Sequence, residues 1–262
     1  MNIVVCIKQV PETTEVKINP ETNTLIREGV SSIINPFDMY AIEEAVRLKE
    51  KYTGTTTVIT MGPPQADSAL REALSLGIDE AIHLSDRAFA GSDTWATSLV
   101  LAKAIERLKN VDLVICGKQA SDGDTAQVGP GIATHLNWPQ ATYVRKIDKI
   151  DLDNKKAIFE RLLEDGYEVL EVDLPCLITV VKEINVPRMP SLRGKMKAKK
   201  QSIPVWGKGE LGLKDEEVGL EGSPTQVVKI FTPPPRKSGM IFDGEVHEAV
   251  DKLFGELRKH LL

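Results

Sequence analysis

Short runs of apolar β-formers recur along the first two-thirds of the chain, and helical periodicity fills the gaps between them. The runs are residues 2–10, 55–61, 80–84, 111–116 and 176–181. Helices are expected from Pro36 with Asn35 as its N-cap, over 65–76, from a Ser92-Asp93-Thr94 start to about 108, and over 126–136. The strand runs are continuously apolar rather than alternating, as in strands covered on both faces. Strands alternating with helices of roughly ten to fifteen residues leave few solutions. The expected fold class is α/β, a doubly wound, mostly parallel sheet.

Such sheets take ligands at the carboxyl ends of their strands, which directs attention to the strand-to-helix junctions. These fall after Val10, after Met61, near Asp93 and after Cys116. The last is the richest, Gly117-Lys118-Gln119-Ala120-Ser121-Asp122-Gly123-Asp124-Thr125-Ala126-Gln127-Val128-Gly129-Pro130-Gly131. A helix start offers free backbone N–H groups and a positive dipole end, which suits a phosphate. Asp122 and Asp124 would repel one. A plain helix cap, with Asp124 accepting N–H groups and Gly123 at positive φ, fits the same residues. A lone Asp-Gly-Asp also resembles a fragment of a cation loop, without the further ligands such a loop needs.

The grammar changes near Tyr143. Asp153-Asn154 and Glu164-Asp165-Gly166 are hairpin turns, so antiparallel strands are expected to extend the sheet before 176–181 returns to it. An earlier hairpin is expected over residues 15–27. After Asn185 prolines and glycines break the periodicity, and only 244–260 again reads as a helix. Ile203, Val205, Trp206, Val227, Val228 and Phe231 make this stretch too apolar for a free tail. The expected organisation is an α/β domain over 1–185, followed by an extended arm over 186–262 that wraps another subunit.

Composition narrows the function. The net charge of −5 argues against a nucleic-acid partner, and no apolar run is long enough to span a bilayer. The three cysteines form no Cys-x-x-Cys pair, which fits a reducing, cytoplasmic address. His83, His135, His247 and His260 show no metal-ligand spacing, and no nucleophile–base pair stands out, so neither a metal nor a catalytic residue is assigned. Gly207-Lys208-Gly209-Glu210-Leu211-Gly212 fits a dinucleotide-binding pattern literally, but no helix is expected to open after it as that pattern requires. Arg193, Lys195, Lys197, Lys199 and Lys200 interleave with Leu192 and Met196, as in a docking loop with an apolar anchor ringed by charge.

Several of these stretches together resemble the β subunit of electron-transfer flavoproteins. They are Val5-Cys6-Ile7-Lys8-Gln9-Val10, Asn35-Pro36-Phe37-Asp38, Met61-Gly62-Pro63, Gly117-Lys118-Gln119 through Gly129, Arg161 with Glu164-Asp165-Gly166, and Lys197-Ala198-Lys199-Lys200. The likeness covers essentially the whole chain. It implies an adenine-nucleotide-binding, HUP-like fold and a heterodimer with an α subunit that carries a redox flavin. Nucleotide contacts map by the resemblance to Cys6, Asn35, Asp38, Met61 and the segment Ala120, Ser121, Asp122, Gly123, Asp124, Thr125, Ala126, Gln127, Val128, Gly129, Pro130 and Gly131. A recognition loop maps to 190–200, where Leu192 would plug into an acyl-CoA dehydrogenase-type or other flavin dehydrogenase, aided by Arg193, Met196, Lys197 and Lys199. Most members hold a structural AMP. A second group, similar to this chain at Asp122-Gly123-Asp124-Thr125 and in the hydroxyls of Thr94 and Thr97, holds FAD, takes a hydride from NADH and bifurcates electrons to ferredoxin or flavodoxin and to the α-subunit flavin. The expected cofactor is FAD, with AMP as the alternative. A nucleotide-binding stress-type regulator with a similar core is the remaining alternative.

Overall fold

The computed structural model describes residues 1–12, 31–228 and 239–261. The hairpin expected over residues 15–27 lies outside them. The chain forms two compact units, residues 1–227 and 228–262.

The first unit is built on a nine-stranded sheet. Its opening strand is β1 (Asn2–Cys6), and a short β2 (Gln9–Pro11) pairs antiparallel with β3 (Ser32–Ile34). There follow α1 (Pro36–Tyr52), β4 (Thr55–Met61), α2 (Asp67–Ser75), β5 (Glu80–Leu84), α3 (Thr94–Leu108), β6 (Leu113–Gly117) and α4 (Val128–Leu136). The chain continues through β7 (Gln140–Asp151), β8 (Lys156–Leu163), β9 (Gly166–Asp173), β10 (Cys176–Val180), α5 (Leu192–Lys200), β11 (Val205–Trp206) and the single-turn α6 (Lys208–Leu211). The sheet order is β11-β5-β4-β1-β6-β10-β7-β8-β9. Pairings from β11 to β7 are parallel, and β8 and β9 add to the edge antiparallel.

The mostly parallel sheet with an antiparallel extension is thus as the sequence indicates. Period-two alternation distributes the core. Ile3 and Val5 of β1 face Ala41, Ala45, Leu70 and Ala73 of α1 and α2. Val4 and Cys6 face Val100, Leu101 and Ile132 of α3 and α4. Residues 2–10 are not one strand, however. The N–H of Lys8 leaves the ladder and donates to Asp38 Oδ2 at 2.7 Å.

The segment after Asn185 is also more ordered than its composition suggests. Residues 192–200 form α5 rather than a loop, with Ser191 Oγ accepting the N–H of Gly194 at 2.9 Å as the cap. Only Ala198 of this helix is buried, so no apolar periodicity announced it. The second unit contains α7 (Val246–Leu261), a helix whose Val246, Val250, Leu253, Phe254 and Leu257 are exposed. No helix among the described residues is long and apolar enough to cross a membrane.

Candidate functional site

The chain order fixes where a ligand can enter. From β1 the chain moves outward through β4 and β5, then crosses to β6 on the other side of β1. That reversal opens a crevice between the carboxyl ends of β1 and β6. Cys6 and Cys116 lie side by side there in parallel register, both buried. The neighbouring Cys6 and burial push the Cys116 thiol well above its ordinary value, so it is an inert core group.

Gly117 ends β6, and α1 begins against it. A Cβ on Gly117 would come within 2.3 Å of Asp38 Oδ1 and 2.7 Å of the Phe37 carbonyl carbon. Only glycine lets the α1 start approach so closely. Asp38, 5% exposed, sits in this contact. Burial pushes its carboxyl up to about 7, although the N–H groups of Lys8 and Gly117 and the Asn35 amide act in the opposite direction. Asp38 therefore holds two strand ends together.

Asn35 occupies the cap position of α1, but its side chain makes no cap hydrogen bond, contrary to the sequence expectation. It turns to the loop after β6. Its Nδ2 donates to Gln119 O at 2.8 Å, and its Oδ1 accepts the N–H of Ser121 at 3.1 Å. Both ends of a nearly fully buried amide are satisfied, which pins the loop to α1.

The cap reading of Gly123 and Asp124 is overturned. Positive φ falls on Asp124 (52°) and Ala126 (55°), not on Gly123. The residue before α4 is Gln127, which makes no side-chain cap. Asp124 instead accepts from Gln119 Nε2, and its N–H closes a turn on Ala120 O at 2.8 Å. Asp122 pairs with Lys8 Nζ at 2.6 Å. Both aspartates thus have partners within the crevice wall. A Cβ on Gly123 would meet nothing within 4 Å, so this glycine faces open space.

Beyond that turn, the N–H groups of Thr125, Ala126, Gln127, Val128 and Gly129 have no partner among the described residues. The last two are helix-start donors that no intrahelical bond can satisfy. Gly129 and Gly131 seat α4 tightly beneath them. A Cβ would lie 2.6 Å from Thr179 Cγ2 at Gly129, and 2.6 Å from Ser98 Oγ at Gly131.

The contact at Gly131 brings in the start of α3. Asp93 caps that helix, its Oδ1 accepting the N–H groups of Trp95 at 2.9 Å and Ala96 at 3.1 Å. Burial raises the Asp93 carboxyl, but these bonds and two from Thr225 outweigh it and hold the group below its ordinary value. Thr94 and Thr97, both partly buried, offer hydroxyls that bond to no other described residue. Met61 ends β4, one strand over from β1.

The structure therefore gathers Cys6, Asn35, Asp38 and the residues 120–131 at one sheet edge, with the main chain of Thr94 near Gly131 and Thr97 farther along the first turn of α3. Sequence reasoning missed Lys8 and Gln119 as parts of this wall. Lys8 was within reach, because it closely follows the strand that ends at Cys6. The dinucleotide-like glycine run is confirmed as something else, since Asp86 Oδ2 occupies the N–H of Lys208 at 2.9 Å.

Leu192, Arg193, Met196, Lys197 and Lys199 lie elsewhere, on α5 over α2. Leu192 is 77% exposed and Met196 58%. The helix is anchored from below by Arg71, whose Nη1 donates to Ala198 O at 2.9 Å. Arg188, just upstream, is forked onto Glu43 (2.8 Å) and Glu50 (2.7 Å) of α1. An exposed apolar pair on a fixed, cationic helix can dock a partner with little ordering cost.

Comparison with known proteins bears on what this crevice is. Residues 22–210 match the family model described as the electron transfer flavoprotein domain. The chain is similar to an electron transfer flavoprotein subunit beta of Thermoanaerobacterium thermosaccharolyticum, with 54% identity over 264 residues covering all of both chains. It is 52% identical over 265 residues, again all of both chains, to the caffeyl-CoA reductase-Etf complex subunit CarD of Acetobacterium woodii. Protein FixA of Azotobacter vinelandii is 50% identical over 240 residues, covering 90% of this chain and 85% of that one.

Proposed function

This chain belongs to the electron transfer flavoprotein family as a β subunit, and from that premise we propose that its crevice holds FAD and takes part in electron bifurcation. The row of N–H groups from Thr125 to Gly129, which have no partner among the described residues and lie at the carboxyl ends of β1 and β6, carries this reading. Main-chain donors at a helix start fit the phosphates of an adenine nucleotide. The hydroxyls of Thr94 and Thr97, which bond to no other described residue, fit a ligand that extends past a monophosphate. Open space beside Gly123 is compatible with the same longer ligand. The relative in Acetobacterium woodii, named as part of a caffeyl-CoA reductase-Etf complex, supports a coupled reductase role.

An FAD held by the Thr125–Gly129 N–H groups would supply the chemistry of taking a hydride from NADH and releasing its two electrons singly, one toward ferredoxin or flavodoxin and one through the α-subunit flavin toward a dehydrogenase. The chain's own contribution is positional. The loop pinned by Asn35 aims the N–H row, Asp38 fixes the two strand ends, and tight seating at Gly129 and Gly131 keeps α4 from drifting. Exposed Leu192 and Met196 on α5 dock the dehydrogenase, and the arm over 186–262 engages the α subunit. No side chain acts as a general acid or base in this account. The family assignment sets aside the stress-type regulator.

Anaerobic titration of the intact heterodimer with NADH tests the proposal. Bleaching of flavin absorbance within seconds is the expected result; a flavin that NADH leaves oxidised contradicts it.

A further inference from the structure

A phosphate at the Thr125–Gly129 row must settle close to Asp122 and Asp124. Asp124 is turned onto Gln119. Asp122 is held by Lys8, and the way Lys8 is built into the fold points to more than a surface pair.

The main chain of Lys8 is fixed on both sides. Its N–H donates to Asp38 Oδ2 at 2.7 Å, and its carbonyl accepts the N–H of Asn35 at 2.8 Å. The side chain thus springs from a rigid base beside the crevice and crosses from the β1 end to the β6 loop, 114 positions away in sequence. It remains 48% exposed, and Asp122 29%. An ion pair this open contributes little to stability, so structural need does not explain it. The ammonium has three donors and spends one on Asp122. The loop's own cation, Lys118, is engaged elsewhere, with Nζ 5.1 Å from the Tyr143 ring centre and 5.9 Å from that of Phe37. Among the described residues, Lys8 is the cation paired with this loop.

We propose that Lys8 is a phosphate-binding residue of this site, its ammonium lying between Asp122 and a phosphate of the bound adenine nucleotide. It neutralises the one and donates to the other, which answers how a loop with two aspartates takes an anion. The inference rests on the reading that a nucleotide occupies this crevice.

The test is a double-mutant cycle on the heterodimer, stripped of nucleotide and titrated with AMP and with FAD. Lys8→Met should weaken binding about ten-fold, as for loss of a charge-assisted hydrogen bond, and flatten its salt dependence. Lys8→Arg should restore most of the affinity. Asp122→Asn should tighten binding about two- to five-fold, the range an exposed charge pair commands. Lys8→Met should cost less when combined with Asp122→Asn than on the native background, because the unmasked carboxylate is then gone. If Lys8→Met stays within two-fold of the native protein, the pair is decoration and the proposal is overturned while the crevice reading stands. If Lys8→Met fails to assemble, Asp122→Asn decides, since unchanged or weaker binding overturns the proposal. A native heterodimer that takes up neither nucleotide overturns the crevice reading, and this inference with it.

Discussion

The backbone N–H of Ser121 donates to the side-chain oxygen of Asn35 at 3.1 Å, tying the loop after β6 to the start of α1 across 86 positions of sequence. The same amide donates to Gln119 O at 2.8 Å. Asn35→Ala removes both bonds and leaves the loop's groups unpaired, at a cost of about 1–3 kcal/mol in stability. Nucleotide affinity should fall about ten-fold as the N–H row loses its aim. Paired denaturant melts and nucleotide titrations check this; unchanged affinity would mean that the loop holds its own shape.

Asp38 should give stability a pH signature. Its folded pKa of about 7 lies above the ordinary 3.8, so the folded state binds this proton more tightly than the unfolded chain does. That contribution is complete below about pH 4 and is lost as pH rises through about 7, on the order of a few kcal/mol. Asp38→Asn removes the slope. It also lowers stability throughout, because an amide NH2 then faces the N–H of Lys8 or Gly117. Urea midpoints taken from about pH 4 to pH 8 should diverge in shape between the two proteins; parallel profiles would mean that Asp38 stays ionised across the range.

The glycines of the loop should separate into two kinds. Gly129→Ala and Gly131→Ala force a Cβ into Thr179 and Ser98, and each should destabilise by about 1–3 kcal/mol. Gly123→Ala meets open space and should leave melting within about 0.5 kcal/mol of native. A bulkier Gly123→Leu should weaken FAD more than AMP if the longer ligand passes there. Equal effects on both nucleotides would remove Gly123 from the specificity argument.

Docking by α5 predicts a different pattern. Leu192→Ala, at a largely exposed position, should leave stability unchanged and slow electron delivery to the dehydrogenase about ten-fold. Lys197→Gln with Lys199→Gln should slow association and flatten its salt dependence. Stopped-flow reduction of the dehydrogenase at several ionic strengths separates the two. Native rates in both variants would place the docking surface elsewhere.

What the sequence revealed follows from where its signals are physical. Apolar strand runs such as Ile3-Val4-Val5 and Leu113-Val114-Ile115 announce a sheet buried on both faces, and the glycine-bearing junction after Cys116 announces its ligand edge. The helix of residues 192–200 stayed hidden because one buried alanine makes no periodic stripe. Asn35 and Asp124 were misread as caps because local spacing cannot show a partner that folding brings from 86 positions away, or a side chain satisfied by Gln119. Lys8 was overlooked for the same reason. Its partner Asp122 is distant in sequence and adjacent only once β1 and β6 pair.

The central claim is that this β subunit carries a second redox flavin rather than a structural nucleotide. The direct measurement is to denature the purified heterodimer and quantify every nucleotide released per αβ pair. Two FAD and no AMP is the predicted result. One FAD and one AMP would contradict the account.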